Sequence, residues 1–166
     1  MKYSKKITLI VSVAILVSSA LLTGHYFKYN YTKSVKVGWY YLNYEAEPVI
    51  GDYVLFPAPE RAYKAVPNLE SVLPKGTLLL KQIIAVDGDQ VCSDKKSVTV
   101  NGHSIAHRLP QMWRSFASFG CSILAPGTVY VIGHTPASLD SRFYGAIETN
   151  TIKSKGEYIG TFSDLF

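Results

Sequence analysis

The stretch Leu78-Leu79-Leu80-Lys81-Gln82-Ile83-Ile84-Ala85-Val86-Asp87-Gly88-Asp89 decides how the rest of the chain is read. It sets one lysine inside an apolar run rich in β-formers and closes on an Asp-Gly turn signal. A strand with hydrophobic residues on both faces is normally buried on both, and a lysine there has two fates. Its stem can lie in the core while the head snorkels to water. Alternatively the whole side chain is buried, which disfavours the ammonium and lowers a pKa of about 10.4 by as much as ~3–5 units. A neutral amine at neutral pH is a general base. Bringing the group to about 7.5 takes about 4 kcal/mol of differential solvation.

Outward from this strand, the chain reads as β-rich. Trp39-Tyr40-Tyr41-Leu42 is a strand-like aromatic run, and Gly51-Asp52 opens a short strand over Tyr53-Val54-Leu55-Phe56 that Pro57 ends. Residues 58–76 carry Pro59, Pro67, Pro74 and Gly76 and read as an irregular excursion with one helical turn near Asn68-Leu69-Glu70. After the central strand, Gln90-Val91-Cys92, Ser97-Val98-Thr99-Val100 and Ser104-Ile105-Ala106 form a meander, with a hairpin at Asn101-Gly102. Residues 107–120 read as a loop or short helix packed on the sheet. Val129-Tyr130-Val131-Ile132 is another strand, followed by a polar loop from Gly133 to Gly145, and Ile152 and Tyr158-Ile159-Gly160 suggest terminal strands. The expected class is mainly β: coiled antiparallel sheets or a partial barrel.

Composition sets the bounds. A chain of 166 residues with 48% hydrophobic and 17% charged content has a folded core and room for one domain plus an appendage. Twelve tyrosines, eight prolines and twelve glycines favour strands and turns. The formal charge of +5 is scattered, with no basic stripe interleaved with aromatics, so no nucleic-acid partner is expected. From Ile7 to Phe27 run 21 residues without a charged aspartate, glutamate, lysine or arginine, close to the ~20 that cross a hydrocarbon core. Lys2, Lys5 and Lys6 precede them, which keeps the amino terminus in the cytoplasm and exports the rest. Tyr26 and Phe27 then fall at the far interface. The competing reading is a cleaved signal peptide, for which Ser18-Ser19-Ala20 offers small residues. Residues 1–28 are thus the expected anchor, in an inner membrane, and residues 29–166 the extracytoplasmic domain. Outside the cytoplasm, the two cysteines Cys92 and Cys121 are expected to pair. Closing a loop of roughly 30 residues contributes about 3.5 kcal/mol in the chain-entropy model. The alternative is two separate buried thiols.

A base needs a nucleophile, and lysine beside serine is one solution to activating a hydroxyl. Spacing alone does not pick the serine. Four blocks carry a resemblance that does. Thr32-Lys33-Ser34-Val35-Lys36-Val37-Gly38-Trp39-Tyr40 resembles the nucleophile segment of TraF-type conjugative-transfer peptidases, which belong to the type I signal peptidase clan. Gly51-Asp52-Tyr53-Val54-Leu55-Phe56 is similar to the family's early Gly-Asp-x-Val strand, and Leu79 to Val91 to its general-base block. Ser138-Leu139-Asp140-Ser141-Arg142-Phe143-Tyr144-Gly145 resembles its Ser-x-Asp-Ser-Arg-Tyr-x-Gly block, and Cys92 and Cys121 fall where TraF-type members have a cysteine pair.

The resemblance implies a fold of signal-peptidase type, with Ser34 as nucleophile and Lys81 as base. It makes Ser138 the hydroxyl that orients the amine, and Asp140 with Arg142 a structural ion pair. The Ser34 backbone N–H and the Thr32 hydroxyl become the oxyanion donors. No cofactor or metal is implied. The substrate is a pilin or another membrane-associated precursor, trimmed and in some systems joined end to end, and the lipid bilayer is a second partner. The chain departs from the pattern at Val35, Lys36 and Asp87, where methionine, proline and proline are usual. Classical signal peptidases carry Gly-Asp-Asn-Arg where this chain has Gly133-His134-Thr135-Pro136, one residue shorter there, which tilts the assignment towards the conjugative type. The rivals are a general type I signal peptidase and a non-catalytic scaffold of pilus assembly. A Ser34, His134 and Asp140 triad and a His103 and His107 metal pair are the other chemistries weighed.

Overall fold

The computed structural model describes residues 2–94, 96–107 and 120–165. Helix α1 (Lys2–Tyr26) runs without an intervening residue into strand β1 (Phe27–Asn30), which pairs antiparallel with β2 (Gly38–Asn43). There follow β3 (Tyr53–Pro57), helix α2 (Glu60–Ala65), a 3-10 turn (Leu69–Ser71) and β4 (Leu78–Ala85). Next come β5 (Gln90–Ser93), β6 (Ser97–Val100), β7 (His103–His107) and β8 (Gly120–Ile123). The chain closes with β9 (Thr128–Ile132), α3 (Ser141–Tyr144), β10 (Ile147–Glu148), β11 (Ser154–Gly160) and α4 (Phe162–Leu165).

The molecule is mainly β, and its described residues form two antiparallel sheets. One has seven strands in the order β1-β2-β11-β3-β4-β9-β10, the other four in the order β7-β6-β5-β8. β4 lies inside the large sheet, and both of its faces meet core. Leu79 and Ile83 pack with Val54, Phe56, Val131 and Phe143 on one face, and Leu80 packs with Val35, Tyr40 and Leu55 on the other. That two-sided burial is what its unbroken apolar run requires. The small sheet closes a further cluster around Val91, Val98, Val100 and Tyr130. Cys92 and Cys121 stand opposite each other in the β5–β8 ladder and are joined by a disulfide.

Several elements differ from the sequence reading. Residues 58–76 are not wholly irregular, since they hold α2, whose Ala62 is fully buried. The helix stops at Val66 because a residue before proline is pushed out of the α region, and Val66 is extended ahead of Pro67. The polar loop after β9 contains α3, which begins at Asp140, whose carboxylate accepts from the Arg142 N–H, and ends at Gly145, with φ of 79°. β1 and β8 occupy stretches with no strand reading, and Ile152 lies in a turn rather than a strand. The expected loop or short helix at 107–120 falls largely outside the described residues; its ends, His107 and Gly120, belong to β7 and β8. Within α1, the window Lys5–Tyr26 has a mean hydropathy of 2.3 and none of it is buried, so it is long and apolar enough to cross a bilayer.

Candidate active site

Ser34 sits in the turn that joins β1 to β2, and one buried side chain shapes that turn. Asn30, at the end of β1, donates through Nδ2 to the carbonyls of Thr32 at 2.7 Å, Lys36 at 3.1 Å and Val35 at 3.4 Å. Its Oδ1 accepts from the Thr32 N–H at 3.3 Å and the Thr32 hydroxyl at 2.9 Å. Thr32 Oγ1 lies 2.8 Å from Ser34 Oγ. Val35 anchors the turn in the core at 2% exposure.

The Ser34 carbonyl accepts from the His134 N–H at 2.6 Å, which ties the turn to the segment leaving β9. Gly133 is the hinge of this contact. A Cβ there would overlap Ser138 Oγ and stand 2.6 Å from the Ser34 carbonyl oxygen, so only glycine lets these groups meet. The β4–β9 ladder pairs Gln82 with Ile132, which brings Lys81 to the level of Gly133 as β9 ends. The Ser34 carbonyl and the Ser138 side chain therefore meet at Gly133, and the Lys81 backbone lies one step past the last β4–β9 pair.

Lys81 is buried at 4% exposure on the face it shares with Leu79 and Ile83. Loss of water around the amine lowers its pKa to about 8; the Asp140 carboxylate pulls it back up and the Arg142 guanidinium pushes it down. The snorkelling alternative does not fit this burial. Ser138 Oγ is buried and has no hydrogen-bond partner among the described residues, an acceptor and donor left for a group that enters the site.

Asp140 and Arg142 form a buried pair of 0% and 2% side-chain exposure. Arg142 Nε donates to Asp140 Oδ1 at 2.8 Å, and its Nη2 donates to Asp140 Oδ2 and to the carbonyls of Thr135 at 2.6 Å and Gly133 at 3.2 Å. Its Nη1 reaches the His107 carbonyl at 3.2 Å. Asp140 Oδ2 also accepts from the Gly133 N–H at 2.8 Å. This pair fixes the loop that carries Gly133 and Ser138, and it leaves Asp140 committed. A Ser34, His134 and Asp140 triad is thus excluded: His134 turns its Nε2 towards the Tyr53 hydroxyl, 3.4 Å away.

Asn30 was not singled out from the sequence. The available signal was an Asx residue placed two before a threonine at the mouth of a turn, where such side chains bond the backbone ahead of them.

A family model described as signal peptidase, peptidase S26, matches residues 1–160. The class is thereby defined: serine endopeptidases that act on membrane-associated precursors. The chain belongs to the peptidase S26 family. Among solved structures 16 chains match, including the crystal structure of a signal peptidase I from Enterococcus faecalis V583. That protein is 21% identical, with a TM-score of 0.42 over 66% of this chain and 97% of its own. No match is found among curated proteins.

Proposed function

We propose that this protein is a membrane-anchored serine endopeptidase in which Ser34 is the nucleophile and Lys81 the general base. The observation that carries the reading is the buried Lys81 amine, lowered to about 8, at the level of the glycine on which Ser34 and Ser138 converge. Ser34 Oγ attacks the scissile carbonyl carbon as its proton passes to the neutral Nζ. The Ser34 N–H and the Thr32 hydroxyl hold the oxyanion, where the loss of one donor typically costs about 3–4 kcal/mol. The Lys81 ammonium then protonates the leaving amine, the C–N bond breaks, and an ester to Ser34 remains. Water, deprotonated by Lys81, attacks the ester carbonyl; the C–Oγ bond breaks, the Lys81 ammonium returns the proton to Ser34 Oγ, and the new carboxylate leaves. Ser138 Oγ, unpartnered in the free protein, becomes the acceptor that aims the amine once substrate is bound. Helix α1 spans the membrane, with the β-domain, residues 29–166, on the extracytoplasmic side of the inner membrane.

The substrate is a membrane-associated precursor, and the block pattern around Ser34, Lys81 and Ser138 together with the paired Cys92 and Cys121 favours a conjugative pilin. The general signal peptidase reading is favoured by the description of the matched family. Two measurements test these readings. A mechanism-based acylating inhibitor is expected to label Ser34, found by peptide mass; a wild-type protein that stays unlabelled sinks the dyad. Intact mass of pilin made with and without the protein separates the substrates. Trimmed pilin supports the conjugative reading, a further loss of one water marks cyclisation by the pilin's own amine, and unchanged pilin beside cleaved signal peptides supports the general enzyme.

A further inference from the structure

The hydrogen bonds around Asn30 fix more than the shape of the turn. The orientation of its carboxamide follows from its neighbours: the Thr32, Val35 and Lys36 carbonyls only accept, and the Thr32 N–H only donates. Oδ1 therefore faces Thr32, and the single hydroxyl proton of Thr32 is donated to it at 2.9 Å. With that proton committed, Thr32 Oγ1 can only accept across the 2.8 Å contact with Ser34 Oγ. The Ser34 hydroxyl hydrogen is parked on Thr32.

Resting on the Ser34/Lys81 reading, we infer that Asn30 is a positioning residue that sets the proton direction of the whole Asn30-Thr32-Ser34 chain. In the free enzyme it holds the Thr32 proton, and through it the Ser34 proton, away from Lys81. As the oxyanion forms, the Ser34 proton goes to Lys81 Nζ. Thr32, no longer accepting from Ser34, rotates about Cα–Cβ and moves its proton from Asn30 Oδ1 to the oxyanion. Oδ1 keeps the Thr32 N–H as its donor, so the exchange leaves no buried group unsatisfied. The number of bonds is conserved. Asn30 itself acts through Thr32 and does not touch substrate.

The test counts turnover per inhibitor-labelled Ser34, so that misfolded protein drops out. The measurement is made with the full chain above the Lys81 midpoint. Asn30→Ala is expected to lower kcat per labelled site about tenfold to a hundredfold, as a displaced donor does, with KM within about twofold. In a Thr32→Val background the same change is expected to cost less than about threefold, because the residue it acts through is gone. Equal costs in both backgrounds, or unchanged turnover per labelled site, overturns the inference. Should Asn30→Ala not fold, Asn30→Asp serves, since it keeps an oxygen facing Thr32 while it loses the donors to the three carbonyls and adds a charge. It is expected to retain more turnover per labelled site than Thr32→Val, and a loss as deep as that of Thr32→Val overturns the inference. If wild-type Ser34 itself takes no label, the dyad falls and this assignment with it.

Discussion

At the scale of the residue, the proposed chemistry rests on one amine. With its midpoint at about 8, only the neutral form of Lys81 is a base, so kcat/KM is expected to climb about tenfold per pH unit below that value and to level above it. A profile flat from pH 6 to pH 9 would falsify the assignment. Lys81→Arg is expected to be folded and inactive, since guanidinium does not release its proton. Stability follows the same titration with a definite sign. The folded-state pKa lies below the ordinary 10.5, so between about 8 and 10.5 the unfolded chain binds more protons, and stability rises with pH across that window. Below it the buried ammonium costs about 3 kcal/mol. Lys81→Met should therefore unfold at higher urea than wild type at pH 7, with the difference shrinking towards pH 10. Lysine in an apolar strand was legible as a candidate base because the pattern around it is so regular. Ser34 was not legible from spacing, since nothing local distinguishes it from the chain's other serines; the block resemblance singled it out.

At the scale of the element, length decided what the sequence disclosed. β3, β4, β6 and β9 announce themselves through alternation or apolar runs bounded by turn residues. α2 and α3 have six and four residues, too short to show a helical period. α3 exists because Asp140 caps it and Arg142 then folds back on the same carboxylate, which joins a helix end to an ion pair. Removing one partner leaves a buried charge uncompensated, so Arg142→Met is expected to cost about 3–5 kcal/mol in chemical denaturation. The double change Asp140→Leu with Arg142→Met is expected to recover part of that stability and none of the activity, because Gly133 and Ser138 lose their support. In the small sheet, Cys92→Ala with Cys121→Ala is expected to lower stability by about 3.5 kcal/mol while leaving turnover per labelled Ser34 unchanged.

At the scale of the whole molecule, the mainly β class was readable but the strand order was not. β11, from the end of the chain, inserts between β2 and β3, and no local pattern encodes such a distant pairing. The join between α1 and β1 was equally hidden, because both sides of it are aromatic. There the helix passes straight into a paired strand. The His25 ring stacks on Tyr44 at 4.6 Å, the Tyr44 hydroxyl donates to the His25 carbonyl at 2.8 Å, and Tyr26 stacks on Tyr41. A bracket of this kind has no slack. β1 is only four residues long, at most roughly 13 Å at ~3.3 Å each, so the proposed nucleophile in the turn after it stays tethered close to the end of α1. On the proposed reading the blade is set to one elevation, and a precursor would be cut where its own chain crosses that plane. A Gly-Ser-Gly-Ser insert after Tyr26 should loosen the setting, and the mass spectrum of the product should change from one terminus to a ragged series.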